Sequence, residues 1–411
     1  MIPKLSRYLL VALAVITLSY VLPAIYHTLF DTRIDSPYVQ YSTTKGEYYT
    51  HGYKDGKTVF TDRKGKLYTQ QEFMDNTPLE NYYYHLSKGT FPDSFAGVKL
   101  IPQQLQKESF YQFMDPAQLA IPKYSLNALF ESQPEFGLSF SKDYFRITHR
   151  IEFIDAKTNQ LNQEKSKQFT AALDAEGFSY PAVIVSGLPT LMKRKDEGWF
   201  ITDSKEQFFH LKMIKGAPFV RKIPVPAGMH FKYVICNDFD SGEFYATIVT
   251  GDHRLYILNK SDYSFSKLPV EGYNSDSMVM MFSGNLFNRT VQFSSEKGMN
   301  LITFDRQNKV IDRYSTQLPL KSEMTIGKVA SALFPFQLTL TSPFTEFLHM
   351  HFAGSNTSVW IMINLLLVIA TVILMRREGK SVVRGIPDLL IVALTGIFGF
   401  LAILIIPNKQ Y

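Results

Sequence analysis

The chain has 411 residues, of which 45% are hydrophobic, 14% aromatic and 19% charged, and this composition excludes a largely disordered protein and a small disulfide scaffold. The net charge of +6 lies mostly at the ends, because residues 1–25 and 376–411 hold seven basic and two acidic side chains. The remaining body carries about one positive charge, which excludes the basic surface typical of nucleic-acid binding.

An uncharged apolar run of eighteen residues, 8–25, is about long enough to cross the hydrocarbon core of a bilayer. Lys4 and Arg7 precede it. A cleavable signal peptide would need small residues near its end, where Pro23 and bulky side chains stand instead. The pattern therefore predicts an uncleaved N-terminal transmembrane anchor over 1–25.

Residues 26–327 are predicted to form an extracytoplasmic β-rich (α+β) domain. Five stretches share one pattern, a β-branched or aromatic strand, a turn with Asp or Gly, and a returning aromatic strand; they are 59–69, 151–161, 200–211, 248–258 and 301–311. A spacing near fifty residues in the last three fits propeller-like antiparallel sheets, while hairpins of one large sheet, or α+β without radial order, would look similar. Asp62, Asp155 and Asp203 are predicted turn formers.

Two helical insertions are predicted, at 69–87 and at 162–175, the second ending before Gly177. The first contains four consecutive polar-tipped aromatic side chains. They either line a groove for a ligand or partner or pack the helix onto a sheet. We take these four as candidates for partner contact: Tyr82, Tyr83, Tyr84 and His85.

The C-terminal part is predicted to contain a juxtamembrane segment, 328–357, and a two-helix transmembrane hairpin, 358–407, with spans at 359–375 and 389–406. The loop RREGKSVVRG between the spans has four basic residues, which places it in the cytoplasm. The N-terminus is then also cytoplasmic. The main domain and the C-terminus lie outside.

Two glycines in the third predicted span, Gly396 and Gly399, would allow another helix to approach closely. Ordinary membrane-helix glycines are the alternative. A helix pair is more than a tether requires, so these positions are further candidates for partner contact.

No catalytic motif is present. The chain lacks a phosphate-binding Gly-Lys-Ser/Thr loop and a His-Glu-x-x-His motif, and Ser186 lacks the preceding glycine of a nucleophile elbow. Glu346, His349 and His351 resemble a metal cluster, but no single secondary structure aligns all three. We therefore predict no catalytic, cofactor-binding or metal residue, and whether His349 and His351 bind a metal stays open.

Two other side chains that often carry chemistry are explained structurally. His210 is predicted to be a satisfied structural histidine. Cys236 is the only cysteine, so the chain contains no internal disulfide, which favours a bacterial over an animal secretory setting.

Three segments, 60–93, 151–173 and above all 196–221, resemble an uncharacterised bacterial family of membrane-anchored proteins with a domain of unknown function. Members typically have Arg and Gln before the leucine that is Leu86 here, whereas this chain has Tyr84 and His85. The family accompanies ABC-type transport systems. The resemblance therefore implies an accessory role beside a transporter permease and its ATPase.

These observations lead to the hypothesis of a non-enzymatic accessory or sensing subunit of an ABC-type transport complex in the bacterial inner membrane. The outer domain would bind a ligand or partner, without a cofactor. One alternative is an envelope enzyme acting on lipid or glycan, whose carboxylates come from separate loops. Another is a structural or adhesive envelope protein.

Overall fold

The computed structural model describes residues 2–30, 37–54, 56–119, 126–239, 241–341, 349–355 and 357–408. The chain divides into two compact units. The β-rich unit comprises 37–316, inside the boundaries of 26 and 327 predicted for the outer domain. The apolar helical unit combines helix α1 (Ile2–Phe30) with the chain from Gln317 onward.

The β-rich unit begins with an antiparallel meander of four strands in chain order. These are β1 (Tyr38–Ser42), β2 (Glu47–Lys54), β3 (Lys57–Asp62) and β4 (Leu67–Tyr68). A helical insertion follows, with α2 (Gln70–Asn76), α3 (Tyr82–Lys88), the short hairpin β5 (Ser94–Phe95) and β6 (Val98–Lys99), and α4 (Pro102–Glu108).

The helical insertion predicted at 69–87 is confirmed, and it consists of two separate helices, α2 and α3. Thr69 begins α2 with a capping box, in which its side chain accepts from Glu72 N and Glu72 bonds back to Thr69 N. The helix ends at Asn76 because Thr77 precedes Pro78, and a residue before proline avoids helical backbone.

Four further sheets follow the insertion. One has three strands, β8 (Asn127–Ala128), β9 (Asp143–Ile147) and β10 (Ile151–Asp155). The next has β11 (Ile184–Gly187), β12 (Trp199–Thr202), β13 (Phe208–Ile214) and β14 (Ala217–Ile223). The third has β15 (Phe231–Cys236), β16 (Phe244–Thr250), β17 (Leu255–Asn259) and β18 (Phe265–Lys267).

The last sheet joins distant parts of the chain. Strands β19 (Val279–Gly284), β20 (Asn288–Ser295), β21 (Gly298–Asp305) and β22 (Val310–Gln317) form a meander. Its open edge is completed by β7 (Phe110–Met114), which pairs antiparallel with β19. A short helix, α5 (Pro116–Leu119), follows β7.

Helix α6 (Gln163–Ala175) confirms the helix predicted at 162–175. Asn162 caps it by accepting from Lys165 N, and Gly177 follows at φ +77°. Phe169 and Leu173 on its inner face are fully buried. The helix thus packs as an insertion on the neighbouring sheets.

Four hydrophobic clusters connect the five sheets in series. Phe153 and Trp199 belong to the cluster joining β8–β10 to β11–β14, and Phe208 and Ile248 to the one joining β11–β14 to β15–β18. The other two join β15–β18 to the last sheet and the last sheet to β1–β4. The antiparallel β-rich fold is confirmed. No closed propeller is formed by the described residues, and the propeller-like order stays a prediction.

One turn recurs in three hairpins. The carboxylates of Asp62, Asp203 and Asp305 each accept the backbone N–H groups two and four residues further along the chain. These turns connect β3 to β4, β12 to β13 and β21 to β22. Asp155 accepts two backbone N–H groups similarly. The predicted turn-forming role of Asp62, Asp155 and Asp203 is confirmed.

The apolar helical unit contains α1, a 3-10 turn (Lys321–Glu323), α7 (Thr325–Leu333), the hairpin β23 (Phe336–Thr341) and β24 (His349–Gly354), and α8 (Val359–Arg377). It ends with α9 (Ile386–Thr395) and α10 (Ile397–Ile405). Among the described residues two helices, within α1 and α8, are long and apolar enough to cross a membrane.

The third predicted span, 389–406, is wrong as one continuous helix. Gly396 has φ +60° and ψ −130°, a backbone conformation outside the helical region, and it separates α9 from α10. In a continuous helix the Ala393 carbonyl would accept from residue 397. It accepts instead from Asn364 Nδ2 of α8, at 2.9 Å. Each half is about 15 Å long, half of the roughly 30 Å core of a bilayer.

Candidate functional site

A polar cluster surrounds Glu197, in the segment just before β12. The carboxylate binds Lys212 Nζ at 2.6 Å and also contacts Lys260 Nζ. Both ammonium groups lie over the Tyr245 ring, 5.6 and 5.3 Å from its centroid. Burial alone would raise the pKa of Glu197, but its bonds to the two lysines outweigh burial and lower it. Glu197 is therefore a fixed anion that organises cations from two sheets.

His210 connects this cluster to the core of its sheet. It is fully buried, and Nε2 lies 2.5 Å from the Glu197 carbonyl oxygen while Nδ1 lies 2.9 Å from Tyr263 Oη. Since a carbonyl only accepts, Nε2 carries the proton and Nδ1 accepts from Tyr263. Burial, with the nearby Lys212 charge, lowers the pKa of His210 to about 3. His210 is thus a neutral structural histidine, as predicted.

A buried ion pair, Lys193–Asp196, lies in the same segment before β12 that contains Glu197. Lys193 Nζ lies 2.5 Å from Asp196 Oδ1, and the two side chains are 2% and 0% exposed. Asp196 also accepts from Ser132 Oγ and from the N–H of Gly198. Lys193 donates further to the Leu188 carbonyl. The buried charges of Lys193 and Asp196 therefore compensate each other. Their bonds to backbone groups of Leu188 and Gly198 hold the backbone of this segment in place.

The predicted aromatic run is divided between core and surface. Tyr82 packs in a small hydrophobic cluster, and Tyr84 donates to Gln71. His85 is buried, with Nδ1 2.9 Å from Thr90 Oγ1 and Nε2 2.9 Å from the Met74 carbonyl. Tyr83 alone of the four is largely exposed, at 64%. Helix packing thus explains Tyr82, Tyr84 and His85, and a partner contact through Tyr83 stays a prediction.

Tyr82 also lines a cavity of about 230 Å³ between α3 and the strands β1, β19 and β20. Glu80 lies in its wall and accepts from the backbone and the hydroxyl of Thr43. Burial raises the pKa of Glu80. The cavity is otherwise lined by tyrosines, amides and apolar side chains, so it has little charge to select a ligand.

Inside the apolar helical unit an ion pair joins α1 to α9. Arg7 donates to Asp388 from both terminal guanidinium nitrogens, at 2.8 and 3.0 Å, and from Nε to the Ile406 carbonyl, at 3.1 Å. The side chains are 11% and 3% exposed. Both ends of the helical unit are thereby connected through one bidentate pair.

Gly396 and Gly399 are both buried within this unit. A Cβ on Gly396 would lie 2.2 Å from Asn364 Oδ1, so this glycine admits a side chain of α8. A Cβ on Gly399 would lie 2.3 Å from Thr395 Oγ1, in the same broken helix. The close approach expected at these glycines occurs within the chain, and contact with another protein stays a prediction.

The histidines next to α8 provide no metal site among the described residues. His349 and His351 lie two residues apart on β24, so both project from one face of that strand. Glu346 lies outside the described residues. Metal binding at this hairpin is therefore untested.

Sequence reasoning missed the Glu197 cluster. Its members are separated by up to 63 residues and lie in no motif. The available signal was the charged run Lys193–Glu197 directly before the buried strand WFIT. Charges beside a fully buried strand must be paired, so this run marked a place where partners had to converge.

The fold thus defines a β-rich domain carried by a compact unit of apolar helices. A family model described as "Domain of unknown function (DUF4857)" matches residues 38–304, from β1 almost to the end of β21. The chain belongs to this family, which confirms its assignment to an uncharacterised domain. A search of curated proteins found no match.

Proposed function

We propose that this protein is a non-enzymatic accessory or sensing subunit of a bacterial membrane transport complex of the ABC type. In this proposal the apolar helical unit lies in the inner membrane beside a permease. The β-rich unit lies outside and binds a ligand or a partner.

The observation that carries the proposal is the Arg7–Asp388 pair. One apolar helix of about 20 residues is enough to attach a domain to a membrane. A buried ion pair between two helices is costly and is not needed for attachment. Here the pair holds the first and last parts of the chain in one packed unit. A packed unit of several helices supports a role in docking to another membrane protein rather than simple attachment to the membrane.

The proposed orientation follows from the positions of basic side chains. Lys4 and Arg7 precede the apolar part of α1, Arg376 and Arg377 end α8, and Lys380 follows it. Basic residues concentrate on the cytoplasmic side of membrane proteins. The N-terminus is then cytoplasmic and the β-rich unit lies outside. Arg7, at the start of α1, donates to the Ile406 carbonyl at the end of α10, so we propose a cytoplasmic C-terminus in place of the outside position expected from the sequence.

The choice of an ABC-type partner rests on the resemblance to the accompanying family. Helix α8 provides a surface for such a partner, because Met362, Leu365 and Leu366 share an exposed apolar face. If α8 only anchors the chain, lipid covers this face instead.

Affinity purification of the tagged full-length protein from native membranes in mild detergent, followed by mass spectrometry, tests the proposal. We expect a permease and its ATPase in a fixed ratio. The matched variant Met362→Ala/Leu366→Ala should reduce their recovery, whereas Lys205→Met in the β-rich unit should not. Isolation of the chain alone, with full biological function retained, would reject the accessory role.

We also infer a propeller-like order for the five sheets. Four-stranded meanders in chain order, serial packing and completion of the last sheet by β7 support this arrangement. An experimental map in which β1–β4 packs on β8–β10 would agree with it. Solvent between these two sheets would contradict it.

A further inference from the structure

A second cavity, of about 290 Å³, opens within the β-rich unit beside the Glu197 cluster. The end of α4, the segment before β12, the loop between β15 and β16 with the start of β16, and the turn after β17 form its wall. Its basic residues are Lys107, Arg194, Lys195 and Lys260. Three separate parts of the chain thus bring cations to one small concave surface.

The acidic side chains among the described lining residues are both engaged. Glu197 is held by Lys212 and Lys260, and Asp238 accepts from the backbone N–H of Arg194 at 3.1 Å. Four basic side chains face two acidic ones, so the described wall has an excess of positive charge. Lys107 and Lys195 are exposed there. The wall therefore favours an anion.

Asn237 adds a donor that is already desolvated. Asn237 is among the residues that line the cavity, and it is only 9% exposed. Asn237 Oδ1 lies 3.4 Å from the Phe239 N–H, whereas Nδ2 has no hydrogen-bond partner among the described residues. A buried N–H group without an acceptor costs free energy, which a bound acceptor would recover.

The cavity volume limits the occupant. At about 30 Å³ per water molecule it holds roughly ten waters, which fits a small ligand or one group of a larger one. Guanidinium, ammonium and amide groups all donate, and a multivalent oxyanion accepts from several of them at once. We infer that this cavity binds a small multivalent oxyanion, with a phosphate group as the simplest occupant.

This inference gives a ligand class to the sensing role proposed for the β-rich unit and rests on that role. Its test is nevertheless separate, because it uses the purified protein without partners. Failure to bind phosphate would leave co-purification with a transporter unaffected, and the reverse also holds.

The test is isothermal titration calorimetry of the full-length protein in detergent with inorganic phosphate, at constant ionic strength maintained with chloride. We expect saturable binding of one phosphate per chain. Asn237→Asp keeps the side-chain shape but replaces the donor with an anion, and should weaken binding at least tenfold. Lys195→Met, at an exposed position, should weaken it about three- to tenfold, as expected for loss of one charge-assisted bond.

Lys205→Met is the matched control, since Lys205 is exposed ten residues away and does not line the cavity. It should bind phosphate within about twofold of the unchanged protein. The absence of saturable heat beyond that of chloride would overturn the inference. Unchanged phosphate affinity in Lys195→Met would do so too, even if Asn237→Asp did not fold.

Discussion

The buried pair Lys193–Asp196 gives a sharp prediction about stability. Asp196→Asn preserves the size of the side chain but removes its charge and replaces one acceptor oxygen with an NH2 donor. The Lys193 ammonium then stays buried and still donates to the Leu188 carbonyl. The contacts from Ser132 and Gly198 require an acceptor oxygen, which asparagine retains. The change therefore removes the countercharge and turns an amide N–H group toward the Lys193 ammonium, and both effects destabilise the fold.

Removing one partner of a buried ion pair typically costs 3–5 kcal/mol, on the order of a third of the stability of a domain. Each kcal/mol lowers the Tm of a domain of 150–250 residues by roughly 2–4 °C. The β-rich unit is somewhat larger than this range. We therefore expect Asp196→Asn to lower its Tm by roughly 10 °C.

Tryptophan fluorescence provides the assay. The chain has two tryptophans, Trp199 in β12 beside the pair and Trp360 in α8. In a Trp360→Phe background, Trp199 reports unfolding of the β-rich unit alone. The control Lys205→Met should change stability by no more than about 0.5 kcal/mol.

A double variant shows whether the uncompensated Lys193 charge causes the loss of stability. Lys193→Met together with Asp196→Asn removes the uncompensated ammonium and should recover most of the lost Tm. A single Asp196→Asn variant that melts within 2 °C of the unchanged protein would refute the assignment of a buried, charged pair. So would a double variant no more stable than the single one.

Three further predictions follow from other parts of the structure. The pKa of His210 is about 3 in the folded protein and about 6.5 in the unfolded chain, so between these pH values only the unfolded chain binds a proton at this residue. The free energy of unfolding should therefore fall as the pH decreases from 6.5 toward 3. In His210→Gln, Tm should depend less steeply on pH over this range. Arg7→Asp should reduce the yield of folded full-length protein in detergent, and adding Asp388→Arg should restore part of it, whereas equal yields for all three would exclude a structural ion pair. Gly198→Ala should destabilise far more than Gly177→Ala in denaturant melts, because a Cβ at 198 would lie 2.2 Å from a backbone carbonyl oxygen and one at 177 meets nothing within 4 Å; similar midpoints would contradict this.

Features set by local sequence were predictable. The Asp62, Asp155 and Asp203 turns depend on backbone groups within four residues, and α6 begins and ends at its own cap residues. The split of the first insertion was also encoded locally, in Thr77-Pro78, although its composition favoured one helix.

Features that depend on distant side chains were not predictable. Residues 389–406 are apolar enough for a continuous span, and the break becomes stable because Asn364 of another helix bonds the freed carbonyl. The cavity beside the Glu197 cluster likewise needs Lys107, Lys195 and Asn237, which only the tertiary fold brings together. Neither the local spacing nor the composition contains this information.

Site-specific photocrosslinking in native membranes tests the central claim most directly, because it avoids detergent. A photoreactive amino acid is placed at Leu365, on the exposed face of α8, and at Thr371, which is buried in the same helix. We expect a crosslink from position 365 to a transporter permease and none from position 371. Crosslinks from position 365 to lipid alone would contradict it.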